Sequence, residues 1–260
     1  MVMVEQKHDV ALAEPGDLRI ALALLTRLPL PAPADFSRGA RAAWAYPLAG
    51  AILGLLAATV ASLLLGLGVP GLMVAALTLA TLLFTTGALH EDGLADTVDG
   101  LWGGWDRKRR LEIMKDSRIG AYGVLALTLS VLTRLAGLWT VIEADLSLWL
   151  VLPMVFGASR GAMLVPMSLL PHARADGLAR QTGRVPGPTS LLGLALSGLL
   201  MILAAGWGAF GLAFWVIFAA AGLTAIARAK IGGQTGDILG ATQQLAEVVF
   251  WIVLAAQIAP

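Results

Sequence analysis

The run His90-Glu91-Asp92-Gly93-Leu94-Ala95-Asp96-Thr97-Val98-Asp99-Gly100 places four carboxylates within nine residues at the end of an apolar stretch. On a helix, Asp92, Asp96 and Asp99 stand at i, i+4 and i+7 and project from one face, with Glu91 off to the side. Like charges so placed repel, and beside low-dielectric lipid they need a compensating cation. Hard oxygen ligands select magnesium, or manganese, over zinc or copper. The plainer reading is a solvated acidic loop with Asp92 as a helix cap. Against it stands the stretch that follows, Arg109, Arg110, Lys115, Asp116, Ser117, Arg118, Ile119, Gly120, Ala121, Tyr122 and Gly123, cationic and ending in small residues. Carboxylates for a metal beside cations and glycine backbone for phosphate oxygens are the parts phosphoryl transfer requires, so a phosphorylated substrate is favoured. Arg107 to Arg110 are accounted for without substrate, by positive-inside bias or lipid headgroup contact.

Two further polar clusters are expected to converge on the same site. One runs from His172 through Arg174 and Asp176 to Arg180; the other is Gly232-Gly233-Gln234-Thr235-Gly236-Asp237-Ile238-Leu239-Gly240. The second has the backbone freedom to wrap a ligand, and Asp237 is either a further metal-side carboxylate or the N-cap of the last helix. It is no Walker loop, because no Gly-Lys-Ser/Thr follows. Glu247 would lie roughly 15 Å beyond Asp237 on a continuous helix, so the two cannot easily share an ion. His90 and His172 could act as general bases or phosphate contacts, or simply as hydrogen-bonding residues at a span boundary. Arg134 and Arg160 fall inside apolar segments, where a charge is costly unless it faces a polar cavity or a partner. Neither has an obvious sequence neighbour to neutralise it, and the structural reading for each is pairing to a carbonyl or reaching toward the interface.

The elements that must position these residues are membrane helices. Of the 260 residues 58% are hydrophobic and 13% charged, mean hydropathy is +0.80, and 189–227 contains no charge, which excludes an ordinary soluble globule. With no cysteine there is no disulfide, thiolate chemistry or Cys-ligated metal. The first fifteen residues hold Glu5, Lys7, Asp9 and Glu14 and lack the order of a cleavable signal peptide. Spans need about 20 apolar residues, and seven are predicted: 44–66, 70–89, 120–142, 147–170, 189–206, 208–227 and 244–259. The segment 18–30, with Arg19, Arg27, Pro29 and Pro31, reads as an interfacial helix. Sixteen of the 18 Lys and Arg then fall on one face, which predicts a cytoplasmic N-terminus and cytoplasmic polar segments. The expected fold class is all-α: a polytopic transmembrane helical bundle with a cytoplasmic segment 1–43 and one catalytic domain 44–260 whose active-site loops are 90–119, 171–188 and 228–243.

Three motifs carry a family resemblance: His90 to Asp96 with Asp99-Gly100, the run from Glu112 to Gly123, and the run from Gly233 to Ala241. Together with length and span pattern they resemble the cobalamin synthase family over nearly the whole chain, and no carboxylate is missing. The resemblance implies a magnesium-dependent adenosylcobinamide-GDP ribazoletransferase of the bacterial inner membrane. In it a hydroxyl of α-ribazole, or of its 5′-phosphate, attacks the cobinamide-linked phosphorus and GMP leaves. It assigns Asp92, Asp96 and Asp99 to metal, Glu91 to metal or base, and Asp237 as a secondary ligand; Glu91, Asp92 and Asp96 form the catalytic set. Lys115, Arg118, Arg160 and Arg174 would contact phosphates, with His90, Asp116, Gly233 and Thr235 also lining the substrate. Lipid is an expected partner, nucleic acid is not, and a homo-oligomer is compatible with the sequence. A CDP-alcohol phosphotransferase is the nearest competing reading, from Asp96-x-x-Asp99-Gly100, but that pattern continues with Ala-Arg where Gly103 and Gly104 stand here. A transporter is a second; its signature of ionisable residues in matching broken helices is missing.

Overall fold

The structure, a computed structural model, describes residues 11–31, 33, 36–174 and 183–258. The outer part of the N-terminal segment and the middle of the 171–188 loop, including Asp176 and Arg180, lie outside the described residues. Those described form eleven α-helices and no strand. They are α1 (Gly16–Leu25), α2 (Tyr46–Gly66), α3 (Gly71–Thr86), α4 (Leu89–Gly103), α5 (Arg107–Ile113), α6 (Ala121–Glu143), α7 (Leu148–Ala162), α8 (Leu164–Leu169), α9 (Gly187–Ala205), α10 (Ala209–Ile231) and α11 (Gly236–Ile258). The all-α polytopic expectation holds. Five helical stretches are long and apolar enough to cross a membrane, or six if the bent pair α3 and α4 counts as one.

One of those five, residues 187–231, is two helices broken at 206–208, where Gly206 takes a φ of +53°. Gly193 and Ser197 of α9 lie against Leu164 and Gly161, so α9 runs antiparallel to the α7–α8 rod. At the start of α10, Gly208 and Gly211 meet Gln257 near the end of α11, while Ile231 at its other end joins Ile238 and Ala241 from the start of α11. The chain therefore turns back at Gly206 and crosses the layer twice.

The molecule is organised for lipid. Large apolar side chains such as Phe84, Phe214, Phe218 and Leu203 point outward, and the buried polar residues concentrate between α4, α6, α7 and α11. Close helix approach comes from small residues, as expected where lipid is as apolar as leucine. A Cβ on Gly50 or Gly54 of α2 would collide with the backbone of Phe156, Leu152 and Pro153 on α7. Outside the span region, Arg38 clamps Asp17 of α1 through Nε and Nη2, donates to Glu14, and is joined by Trp44 Nε1 on Asp17 at 2.7 Å. Burial works to raise the Asp17 pKa, but these donors outweigh it and hold the carboxyl below its usual value. The segment predicted as one helix over 18–30 stops at Leu25, since the approaching Pro29 and Pro31 cannot continue it.

Two boundaries matter for the site. The predicted span 70–89 ends at Thr86, where Gly87 (φ +63°) and Ala88 (φ +53°) both adopt left-handed backbone and α4 leaves at 85° to α3. The predicted loop 90–119 is thus largely helical, as α4 and α5. The last helix begins eight residues earlier than predicted because Thr235 caps it, its Oγ1 accepting from Ile238 N at 3.3 Å.

Candidate functional site

α4 carries acidic residues on two faces. On one, Asp92 is exposed and Asp96 half-buried. Gly93 between them lets α4 press on the first turn of α11: a Cβ there would stand 3.0 Å from Asp237 O and 3.1 Å from Gly240 Cα. That contact brings Asp237 to the α4 carboxylates. Asp96 feels the repulsion of Asp92, Asp237 and Asp99, relieved in part by Arg174. Arg174 Nη1 pairs with Asp237 Oδ2 at 3.2 Å while its Nη2 donates to Leu111 O. Thr235 Oγ1 also donates to Asp237 Oδ2, at 3.1 Å. With Thr235 as the cap, the N-cap role expected as one alternative for Asp237 falls to Thr235, and Asp237 stands near the α4 carboxylates.

The two further polar clusters meet where the loop after α8 pairs with the start of α11. Gln234 N donates to Pro171 O and Ala173 N to Gln234 O, both at 2.8 Å, joining the loop after α8 to the start of α11. Gly233 sits against this bridge, where a Cβ would meet the Pro171 carbonyl. This pairing carries Arg174 to Asp237. Arg107 donates to Ile231 O and Ala173 O, and Arg110 to Gly104 O and Lys230 O. These two arginines brace carbonyls at the end of α10, as cations at a helix C-terminus do.

Asp99 is differently occupied from Asp92 and Asp96. It is buried, and its two oxygens accept from Gly120 N at 2.7 Å and Gly123 N at 2.9 Å, capping α6. A Cβ at either glycine would run into its carboxylate. Glu91 faces the interior, where Arg134 Nη1 reaches it at 2.7 Å. His90 and Arg160 are buried on that interior side too, Arg160 donating to Phe156 O at 3.1 Å. Three members of the sequence-predicted set, Glu91, His90 and Arg160, are thus separated from the Asp92 face. Asp116 and Arg118 pair with each other at the surface at 2.7 Å, and that hydrogen bond pulls the Asp116 carboxyl down to about 2. Lys115 is exposed beside them.

Sequence reasoning missed the partners of Arg134. Glu247 meets its Nε at 2.7 Å, and Gln244 accepts from its Nη1 at 3.0 Å. A signal was present: Gln243, Gln244 and Glu247 are polar residues in an apolar span, at the i, i+1 and i+4 spacing of one helix flank.

The model of the family described as cobalamin-5-phosphate synthase matches residues 17–255. The chain belongs to that family. It is 46% identical over 248 residues to the adenosylcobinamide-GDP ribazoletransferase of Bradyrhizobium diazoefficiens, covering 93% of this chain and 94% of the relative. The correspondingly named proteins of Rhizobium etli (44% over 253 residues; 92% and 96%) and Rhizobium meliloti (42% over 258 residues; 93% and 97%) are similarly related. No solved structure matches. Membership of this enzyme family replaces the CDP-alcohol and transporter readings.

Whether the site suits a magnesium ion depends on its donors. Among the described residues no three acidic or histidine side chains are arranged to hold an ion by themselves. Magnesium does not require that: it is commonly held by one or two carboxylates, with water and substrate phosphates completing the shell. Asp92 and Asp96, with Asp237 across the Gly93 contact, are hard donors with an excess of negative charge, and they fit such an ion.

Proposed function

We propose that this protein transfers the cobinamide-phosphate moiety of adenosylcobinamide-GDP to a hydroxyl of α-ribazole, or of α-ribazole 5′-phosphate. The hydroxyl oxygen forms a bond to the cobinamide-linked phosphorus, the bond from that phosphorus to the bridging pyrophosphate oxygen breaks, and GMP leaves. The observation that carries this reading is family membership across residues 17–255 together with an acidic face, Asp92, Asp96 and Asp237, set beside Arg174.

In this reading Asp92 and Asp96 would hold the metal, with water and substrate phosphates completing its shell and Asp237, paired to Arg174, adding negative charge nearby. A magnesium ion, or manganese in its place, supplies charge neutralisation at the pyrophosphate. The hydroxyl proton passes to Asp92 or Asp96, because Glu91 is committed to Arg134. Arg174, Lys115 and Arg118 take phosphate oxygens. Arg174 is the best placed, being already within the acidic cluster, and the exposed Asp116–Arg118 pair is weak enough to open for a substrate phosphate. Gly233 and Thr235 shape the site by holding Arg174 and Asp237. Clustering of the cations at the Asp92 end of the bundle supports a cytoplasm-facing site in a bacterial inner membrane, with lipid around the apolar exterior.

The test is to incubate purified protein in detergent with adenosylcobinamide-GDP, α-ribazole and magnesium, with and without chelator. GMP release and formation of the complete corrinoid are followed together. Both products should appear in equal amounts and only with the metal. GMP without the corrinoid, or neither product from well-folded protein, overturns the reading.

A further inference from the structure

We infer that Arg134 is a positioning residue: from inside the bundle it fixes α4 relative to α11 and so holds the Asp92/Asp96 and Asp237 carboxylates in register. The inference rests on the proposed function only in naming those carboxylates as the metal-holding set.

Arg134 lies on α6 and makes its side-chain bonds to Glu91, Gln244 and Glu247 rather than to Asp92, Asp96 or Asp237. Its guanidinium reaches two other helices through different nitrogens, Nη1 to Glu91 of α4 and Nε to Glu247 of α11, each at 2.7 Å. Gln244 of α11 closes the ring, accepting from Arg134 Nη1 and donating to Glu91 Oε1 at 2.9 Å. Gln243 donates to Glu247 Oε2 at 2.7 Å and to Ser159 of α7 at 3.1 Å, and Ser130 of α6 donates to Gln244. Among the described residues Arg160 of α7 forms no ion pair, yet it stands within electrostatic reach of Glu247 and Glu91. The node therefore balances two cations with two carboxylates, which is what allows these charges inside an apolar bundle.

Geometry links this node to the proposed chemistry. Glu91 is the backbone neighbour of Asp92, and α4 meets α11 closely at Gly93 against Asp237 and Gly240, with Leu94 and Leu101 of α4 in one apolar cluster with Ile238, Ala241 and Leu245 of α11. Apolar contacts of this kind are non-directional, whereas ion pairs at fixed nitrogens select one register. The only ion pairs among the described residues that join α4 and α11 to a common group are those of Arg134. A planar fork with separate nitrogens can hold two carboxylates at once; a lysine offers one nitrogen on a flexible stem.

The test compares wild type, Arg134→Lys, Asp92→Asn and a packing control, Gly54→Ala, whose Cβ strikes α7 away from the node. Each is purified, checked by melting, and titrated with Mn²⁺ while free Mn²⁺ is followed by electron paramagnetic resonance, without substrate. Turnover is then measured against magnesium concentration. Arg134→Lys should stay folded, bind Mn²⁺ about 10–100-fold more weakly and lose kcat by a similar factor, a cost of the size that loss of support behind metal ligands carries. KM for adenosylcobinamide-GDP should stay nearly constant. Gly54→Ala should melt earlier with unchanged Mn²⁺ affinity. Arg134→Lys equal to wild type in Mn²⁺ affinity, or Gly54→Ala weakened equally, overturns the positioning role. A wild type that binds no Mn²⁺ overturns the metal assignment and this inference with it, whether or not GMP is released.

Discussion

Asp99 separates two roles that its sequence spacing merges. If it caps α6, Asp99→Asn removes one of two acceptors and turns an amide NH2 toward a backbone N–H, at Gly120 or Gly123. Leaving that buried donor unsatisfied costs about 1–3 kcal/mol. Losing a negative charge at a helix N-terminus adds about 0.3–1 kcal/mol. The sum, about 1–4 kcal/mol, corresponds to a drop in melting temperature of roughly 3–15 °C for a chain of this size. Neither rearrangement nor a larger side chain offers relief, because Gly120 and Gly123 already abut the carboxylate. Asp92→Asn, at an exposed position under like-charge repulsion, should alter stability by no more than about 0.5 kcal/mol while abolishing most of the turnover. The assay pairs melting in detergent with GMP release per folded molecule at a temperature below both transitions. Asp99→Asn should melt early yet stay within about fivefold of wild-type turnover, because no contact to the reacting groups is removed. An Asp99→Asn protein with wild-type melting and lost magnesium response would refute the capping argument and restore Asp99 as a ligand.

Two further outcomes follow from the packing. Gly93→Ala should cut turnover strongly while costing only about 1–3 kcal/mol of stability, since its Cβ meets backbone of α11 that can yield only by moving α4 away from Asp237; melting and GMP release together check this. At the N-terminal segment, the Asp17 pKa lies below its usual value, so its contribution is complete above that usual value and is lost as pH falls through the lowered one. Protease cleavage between α1 and α2 should therefore rise in acid for wild type and already be fast at neutral pH for Arg38→Ala, read by gel after limited digestion.

Much of the architecture was legible from composition and periodicity. Apolar runs long enough to cross a bilayer have few options other than helices, because backbone groups in lipid must bond internally. The i, i+4, i+7 spacing correctly set Asp92, Asp96 and Asp99 on one helix, and the three motifs were specific enough to identify the family. What the chain did not disclose is which partner each polar side chain meets. Asp99 shares a helical face with Asp92 but lies two turns on, where the start of α6 covers it. Glu91 and Asp92 are adjacent in sequence and face opposite surroundings, because successive helix positions differ by about 100°. The partners of Arg134, Glu91 and Glu247, stand 43 and 113 residues away. Pairings at that separation are decided by how the helices cross, and those crossings depend on glycine contacts and on the left-handed break at Gly87 and Ala88. Residue types and helical spacing thus determined the membrane fold, the family and the set of candidate groups; tertiary packing alone decided which carboxylates meet at the surface, which cap a helix, and which neutralise a buried arginine.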